Sequence, residues 1–341
     1  MNQIHILMPA YKPAQTMLVL ISELVKKGCN VTVVDDGSGD AFAALFAQAE
    51  SVGATVLHHE KNRGKGAALK TGFTYLAEQG CIGAVTADAD GQHSCADICR
   101  VKDALQQNPT HLILGVRDLS KMPLRSKFGN TLTRFLFLVL YCLRITDTQT
   151  GLRGIPLGAV TQKLTALAGE RYEYETNQLI FAKNIFEGIT EVPIQTIYEN
   201  GNASSHFRPL QDGMRIYALL FRHFPLFLLS SLAAFGVDYL LFNLLFYLCH
   251  FGTIGSTVAA RIVSAAANYC TNKNLVFRKS GMKYTFLRYF ALAAFILTLN
   301  CLAMYLLVNI LHLPAFAAKI LVEAILYFLS FTLQNNFAYK Q

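Results

Sequence analysis

Residues 82–93 read IGAVTADADGQH. A short apolar run stops there at two carboxylates on alternate positions, Asp88 and Asp90, with the amide of Gln92 two residues further on. Such a run describes a buried strand, and its acidic tip lies where an open α/β sheet binds ligands. The same pattern recurs upstream. Residues 4–8, 31–35 and 55–58 read as strands, whereas 16–27, 41–51 and 65–78 have helical spacing. This β-α-β-α-β-α-β order predicts an α/β fold: a Rossmann-like, mostly parallel sheet with helices on both faces. Three loops after strands then matter for chemistry, at 9–13, 35–40 and 88–93.

Each loop carries its own chemistry. The oxygen ligands of Asp88, Asp90 and Gln92 suit Mg²⁺ or Mn²⁺, which keep positions open for phosphate oxygens. Asp-x-Asp also occurs in ordinary turns, so its place at a buried strand's end is what distinguishes it. Val33-Val34-Asp35-Asp36-Gly37-Ser38 is a second acidic strand end, able to accept N–H and O–H groups of a base or ribose. Asn62-Arg63-Gly64-Lys65-Gly66 opens the helix at 65–78. Its glycines permit close backbone approach, and a helix N-terminus with Arg63 and Lys65 favours a diphosphate. No Walker A pattern fits it, and no Gly-x-Gly-x-x-Gly follows the first strand, which removes kinase and dinucleotide-binding readings.

The 341 residues are 53% hydrophobic and 15% charged, so part of the chain belongs in lipid. Residues 1–222 hold 22 basic and 20 acidic side chains, the balance of a globular domain, whereas 223–341 hold 8 and 2. Within the second part, apolar stretches at 225–249, 254–275, 286–311 and 315–335 are each long enough for a span of about 20 residues. Four spans are expected. Basic residues flank the first stretch (Arg215, Arg222), fill the central loop (Lys273, Arg278, Lys279, Lys283, Arg288) and mark the tail (Lys340), so the positive-inside rule places both termini in the cytoplasm. The N-terminus has no signal-peptide pattern, which agrees with a cytoplasmic domain at 1–222 and an integral protein of the cytoplasmic membrane. Residues 135–143 are apolar but too short to span. They read either as a core helix of the globular domain or as a helix lying in the membrane surface, and 214–221 reads as a surface-lying helix.

Eight cysteines without regular spacing form neither a disulfide framework nor a zinc pattern. Cys95, Cys99 and His93 approach ligand spacing without a fourth partner. Trp is absent, which excludes an indole platform. Apart from Lys273 and Arg288 at the central-loop ends, the acids and strong bases inside the four apolar stretches are Asp238, Arg261, Lys319 and Glu323. On the expected topology, at about 1.5 Å per residue, all lie in the outer half of the bilayer. Charges at that depth are paired or mark a substrate path; the expectation is that they contact a phosphate head group, with structural salt bridges as the alternative.

In combination and in order, several motifs resemble family 2 glycosyltransferases with a GT-A fold, specifically the polyprenyl-phosphate sugar synthases. They are Met8-Pro9-Ala10-Tyr11, Val34 to Ser38, Asn62-x-Gly64-Lys65-Gly66, Asp88 to Gln92, Gly115-x-Arg117, Asp147-Thr148-Gln149-Thr150-Gly151 and Glu191-Val192-Pro193-Ile194. The last third is similar to the GtrA family of four-helix membrane proteins, through Asn268-Tyr269-x-x-Asn272-Lys273-x-x-Val276-Phe277. The resemblance implies that Pro9, Tyr11 and Asp36 hold the nucleotide, with Ala10 and Asp35 beside them and Lys65 near the diphosphate. It implies Asp88, Asp90 and Gln92 for the metal, Arg117 for the reacting phosphates, and Arg125 or Lys127 for the acceptor phosphate. Late in the domain, Ser205 and His206 are expected to bind substrate; with Tyr198 they stand where the mannose synthases carry a Ser-Lys and an Arg, and Pro13 replaces an acidic residue.

The implied reaction is inverting transfer of a hexose from a UDP- or GDP-linked sugar to a polyprenyl phosphate, needing Mg²⁺ or Mn²⁺ and no nucleic acid. A phosphomonoester acceptor, with a second pKa near ~6, is already ionised, so cations rather than a general base are required. Asp147, Glu173 and Glu175 are candidates for orienting sugar hydroxyls or the basic residues. The membrane part anchors the enzyme and offers its product a route outward; homo-oligomerisation is left open. Processive polysaccharide synthases carry Gln-x-x-Arg-Trp, which a chain without Trp cannot have. The competing class is a lipid-linked-sugar transport or scaffold protein whose transferase domain is inactive.

Overall fold

The computed structural model describes residues 3–121, 124–195, 209–222, 224–251, 253–277 and 285–338. It forms two compact units, Met1–Phe135 with Arg144–Leu219, and Leu136–Leu143 with Leu220–Gln341.

In the first unit, β1 (Ile4–Ala10), α1 (Thr16–Lys26), β2 (Val31–Asp35), α2 (Ala43–Ser51), β3 (Thr55–His58), α3 (Lys65–Glu78) and β4 (Gly83–Thr86) alternate along the chain. There follow α4 (Cys95–Gln107), β5 (His111–Arg117), α5 (Leu124–Tyr141), β6 (Arg153–Pro156), α6 (Thr161–Thr165), α7 (Glu173–Ile180), α8 (Ala182–Ile185), β7 (Gly188–Ile194) and α9 (Pro209–Leu220). The seven strands lie in the order β3-β2-β1-β4-β6-β5-β7. β1 to β4 are parallel, β6 is antiparallel to both neighbours, and β7 is parallel to β5. The sheet is therefore mixed and mostly parallel.

Its centre is buried on both faces: all five residues of β2 and all four of β4 are buried. Helix α1 buries Met17, Leu20, Ile21 and Leu24, the 3–4 spacing of a single stripe. Helix α4 starts where Ser94 Oγ accepts the Asp97 N–H at 3.1 Å. The boundaries differ modestly from the sequence expectation. The helix at 41–51 begins as a 3₁₀ turn over Asp40–Phe42, and β1 continues to Ala10, which brings Pro9 into the sheet.

The second unit contains α10 (Phe224–Asn243), α11 (Thr253–Thr271), α12 (Thr285–Tyr305) and α13 (Ala315–Leu333), each ending in a π-helical turn. Its interior combines Phe227, Tyr327 and Phe331 with the buried polar residues Ser230, Asn272 and Gln334. Among the described residues, the helix Phe224–Leu248 is long and apolar enough to cross a membrane, and Phe286–Asn300 is a shorter apolar stretch.

The end of α5 answers the question left by residues 135–143. Leu136–Leu143 clusters with this second unit, where Asn335 and Asn336 donate to the Leu140 carbonyl at 3.2 and 2.9 Å, and the Tyr141 hydroxyl donates to that of Leu220 at 3.0 Å. It is thus no core helix of the globular domain: Phe137 and Leu140 are buried in the apolar unit instead. Arg261 lies 3.7 Å from Asp238, whose other oxygen accepts the Ser264 hydroxyl at 3.1 Å. The side chains of Lys319 and Glu323 lie outside the described part.

Candidate active site

Parallel strands β1, β2 and β4 release their chains at one edge, and a cleft of about 530 Å³ opens there. From β1 come Pro9, Ala10 and Tyr11; from the turn after β2, Asp36; from the loop after β4, Asp88 and Asp90; and from the start of α3, Gly64 and Lys65. Arg171 and Tyr172, with Gln211, Asp212 and Arg215 of α9, complete the lining.

Lys65 is the centre of the charge arrangement. Its Nζ lies 2.6 Å from Asp88 Oδ1 and 2.8 Å from Glu175 Oε2, and 5.7 Å from the Tyr172 ring centroid. Burial opposes its charge, but Asp88 and Glu175 outweigh burial and hold the ammonium above its ordinary range. Burial likewise works against ionised Asp88, while Lys65 and then His93 hold it well below the carboxylate range. Asp90 is pushed the other way, upward, by burial and then by the charge of Asp88. The Asp90 carboxylate accepts the Gln92 backbone N–H at 3.1 Å, so Gln92 shapes this loop through its main chain.

The acidic pair after β2 divides its labour. Asp36, buried within the cleft wall, accepts the N–H groups of Arg63 (2.9 Å) and Gly64 (2.7 Å) and the Asn62 amide (2.9 Å), and pairs with His59 Nδ1 (2.8 Å). It therefore organises the loop before α3. Asp35 does not line the cleft: it accepts the Ser38 N–H at 2.9 Å and pairs with His58 at 3.0 Å.

The glycines of that loop also serve a different end from the one expected. A Cβ at Gly64, whose φ is +105°, would strike Glu170 and Arg171, and one at Gly66 would strike Tyr174. Ala67 N–H donates to the Glu170 carbonyl at 2.9 Å. The close approach is made by the chain's own 170–174 segment, which carries Tyr172 into the cleft. Arg63 lines a separate surface cleft with Lys70 and Glu78, so it does not join Lys65.

Arg117 ends β5 and grips Asp147 with two nitrogens, Nε at 2.7 Å and a terminal nitrogen at 3.0 Å. Asp147 is fully buried and also accepts the Gln149 N–H at 3.1 Å. The same 147–151 loop backs the acidic strand tip, because the Thr86 hydroxyl donates to the Gly151 carbonyl at 2.8 Å and any Cβ on Gly151 would overlap the Asp88 carboxylate. Gly151 is therefore required by close approach.

Of the residues singled out in the sequence, Pro9, Ala10, Tyr11, Asp36, Lys65, Asp88 and Asp90 share the cleft, whereas Asp35, Gln92, Arg117 and Lys127 do not line it. The Arg125 side chain lies outside the described part, and Tyr198, Ser205 and His206 lie outside the described residues. Sequence reasoning missed Arg171, Tyr172, Gln211, Asp212 and Arg215. The available signal was the i, i+3 spacing of Asp212 and Arg215, whose charges lie 3.4 Å apart. Among the described residues no three His, Cys, Asp or Glu side chains converge as a ready metal cage. Two neighbouring carboxylates facing a cleft, one already paired to Lys65, instead fit a Mg²⁺ or Mn²⁺ ion completed by phosphate oxygens.

A mixed sheet of this order, with acidic tips around one cleft, defines a GT-A nucleotide-sugar transferase fold. Residues 5–160 match the profile for glycosyl transferase family 2, and residues 226–339 match that of the GtrA/DPMS transmembrane domain. A UDP-N-acetylglucosamine–dolichyl-phosphate N-acetylglucosaminyltransferase of Methanococcus voltae is 32% identical over 57% of this chain and 86% of its own length. The polyprenol monophosphomannose synthase of Mycolicibacterium smegmatis is 29% identical over 55% and 75% respectively. Among solved structures, glucosyl-3-phosphoglycerate synthase from Mycobacterium tuberculosis aligns at TM-score 0.47 and 21% identity, over 65% of this chain and 79% of that one. The chain belongs to glycosyltransferase family 2 and carries a GtrA/DPMS transmembrane domain: it is a membrane protein and an inverting glycosyltransferase.

Proposed function

We propose that the protein transfers one hexose from a UDP- or GDP-linked donor to a polyprenyl phosphate such as undecaprenyl phosphate, at the cytoplasmic face of the cytoplasmic membrane. The product is a polyprenyl-phosphate sugar for cell-envelope glycosylation, and residues 223–341, as four spans, anchor the enzyme and offer the product a route outward. The observation that carries this reading is the meeting of Asp88, Asp90, Lys65 and the β1 end Pro9–Tyr11 in one cleft. The relatives named above, which by name act on dolichyl or polyprenol phosphates, support the acceptor class.

The nucleotide lies along Pro9, Ala10 and Tyr11, beside the 62–64 loop that Asp36 organises, and the diphosphate reaches toward Asp88 and Asp90. A Mg²⁺ or Mn²⁺ ion held by Asp90, with Asp88 beside it, would supply charge neutralisation at the departing diphosphate. The acceptor phosphate is already anionic near neutral pH, so no side chain has to remove a proton from it. What the protein supplies is cationic positioning: Arg117, held by Asp147 outside the cleft lining, on the loop that backs Asp88, acts with Arg125 or Lys127 from the acceptor side to offset the repulsion between two phosphate groups. Attack from the face opposite the leaving diphosphate inverts the anomeric carbon.

The test is incubation of the purified full chain with a panel of nucleotide sugars, Mn²⁺ or Mg²⁺, and undecaprenyl phosphate, with products read by mass spectrometry. A lipid phosphate heavier by one hexose is expected. Absence of any sugar-lipid across the panel would leave the transport or scaffold class standing instead.

A further inference from the structure

We propose that Glu175 is a positioning residue that acts on Asp88 through Lys65; the idea rests on the reading of Asp88 and Asp90 as the cation-binding pair. One ammonium bridges two carboxylates, Asp88 at 2.6 Å and Glu175 at 2.8 Å. Behind Glu175 stands Arg153, only 1% exposed, with Nε 4.0 Å from Glu175 Oε1 and with N–H bonds to the Thr150 carbonyl (2.9 Å), the Glu175 carbonyl (2.7 Å) and Gln178 (3.1 Å). Charges thus alternate inward from the cleft as Asp88, Lys65, Glu175 and Arg153. A lysine stem is flexible and its head is a point charge, so a single carboxylate partner would not fix it. Glu175 supplies the second point; Arg153 bonds the Glu175 backbone carbonyl and faces its Oε1 as a charge at 4.0 Å, without a hydrogen bond to that oxygen.

The arrangement has a consequence with a definite sign. The cation position at Asp88 and Asp90 has one ammonium beside it, and Glu175 is bound to that ammonium. Removing the charge of Glu175 leaves Lys65 wholly on Asp88 and weakens cation binding, whereas removing the charge of Lys65 strengthens it. A merely structural role would weaken both. The experiment is Mn²⁺ binding to the full chain, followed by electron paramagnetic resonance without donor or acceptor, with thermal unfolding recorded in parallel. Glu175→Gln is expected to bind Mn²⁺ about tenfold more weakly and Lys65→Met about threefold more tightly. Equal or parallel weakening, no change in either, or no Mn²⁺ binding by the parent overturns the proposal. If Glu175→Gln does not fold, Lys65→Met decides alone, since weaker binding there has the wrong sign. Should the sign pattern hold in a protein that transfers no sugar, the proposed function fails and the positioning stands.

A second observation, independent of the cleft, concerns the membrane unit. Its π-helical turns Leu244–Leu248 and Leu306–Ile310 are offset by 62 residues, as are Asn272–Val276 and Gln334–Ala338. Helices α11 and α13 keep the same offset at both ends, and His250 and His312 share a positive φ, 53° and 54°. The bonds Phe251 N–H to Leu245 O and Leu313 N–H to Leu307 O repeat it again. We infer that the unit is a tandem pair of one helical hairpin, interlocked where the equivalent residues Asn272 and Gln334 meet. Asn272 Nδ2 donates to Gln334 Oε1 at 2.9 Å, and both side chains are buried.

Two residues at one repeat position that bond to each other lie beside a local twofold axis, so exchanging them should preserve the bond. Thermal unfolding of the full chain in detergent tests this. Asn272→Gln/Gln334→Asn should melt within about 2 °C of the parent, while Asn272→Leu or Gln334→Leu alone strands a buried amide and melts lower than the double leucine variant. Additive losses in the double variant, or a swap as damaging as either leucine change, would overturn the interlock.

Discussion

Replacing Asp147 by Asn perturbs the cleft without touching its lining. Two charge-assisted bonds, at 2.7 and 3.0 Å, set the Arg117 guanidinium, and their acceptor is fully buried. With about 4 Å between charge centres and an effective dielectric near 20, the attraction is roughly 4 kcal/mol. Asparagine keeps one acceptor oxygen, and the Arg117 side chain is 18% exposed, so solvent replaces part of the loss. About half, ~2 kcal/mol, is expected to appear as misplacement of the guanidinium, or roughly thirtyfold in kcat/KM. Initial rates of sugar-lipid formation with donor and acceptor titrated separately provide the assay, and the loss should fall on acceptor KM and kcat rather than on donor KM. Arg117→Met should be nearly as slow, and the double variant no slower than Arg117→Met alone, because Asp147 acts through Arg117. If Asp147→Asn worked within threefold of the parent, or its loss multiplied with that of Arg117→Met, the positioning role would be refuted.

Further expectations follow from other contacts. Gly151→Ala must push the Asp88 carboxylate aside, and a loss of about a hundredfold in transfer rate is expected, whereas Gly236→Ala, with open space around it and an ordinary φ, should lose far less. Arg215→Ala should raise the donor KM about tenfold with a smaller change in kcat, because Arg215 lines the same cleft as Asp88 and Asp90. Burial and then Lys102 lower the pKa of His5 from its ordinary 6.5. The unfolded chain therefore binds the extra proton first, and stability present above about pH 6.5 is lost as pH falls through that value. Unfolding midpoints measured from pH 7.5 to 5 should show a slope that His5→Gln flattens.

The alternating half of the sheet was legible because β1, β2 and β4 are continuous apolar runs bounded by loops, and α3 starts at a glycine-flanked boundary. β6 was not, since Arg153–Pro156 offers four residues with a buried arginine and no periodicity, and its antiparallel place depends on partners distant in sequence. Asp88 and Asp90 could be read from their strand. The role of Asp36 could not, because a carboxylate at a strand end looks alike whether it accepts from a ribose or from the chain's own amides. The part of α9 in the cleft was not legible, because an arginine beside an apolar face looks alike whether it flanks a membrane surface or, as Arg215 does with Gln211 and Asp212, lines a cleft. Gly64 and Gly66 signalled close approach correctly but not by what, and only the tertiary path of residues 170–174 decides that.

The central claim, that Asp90 serves transfer of sugar to a lipid phosphate, is tested most directly by comparing the initial rate of polyprenyl-phosphate sugar formation by the parent and by Asp90→Asn under saturating donor and Mn²⁺. A fall of at least about a thousandfold, with an unchanged melting temperature, is predicted. An undiminished rate in the variant would contradict it.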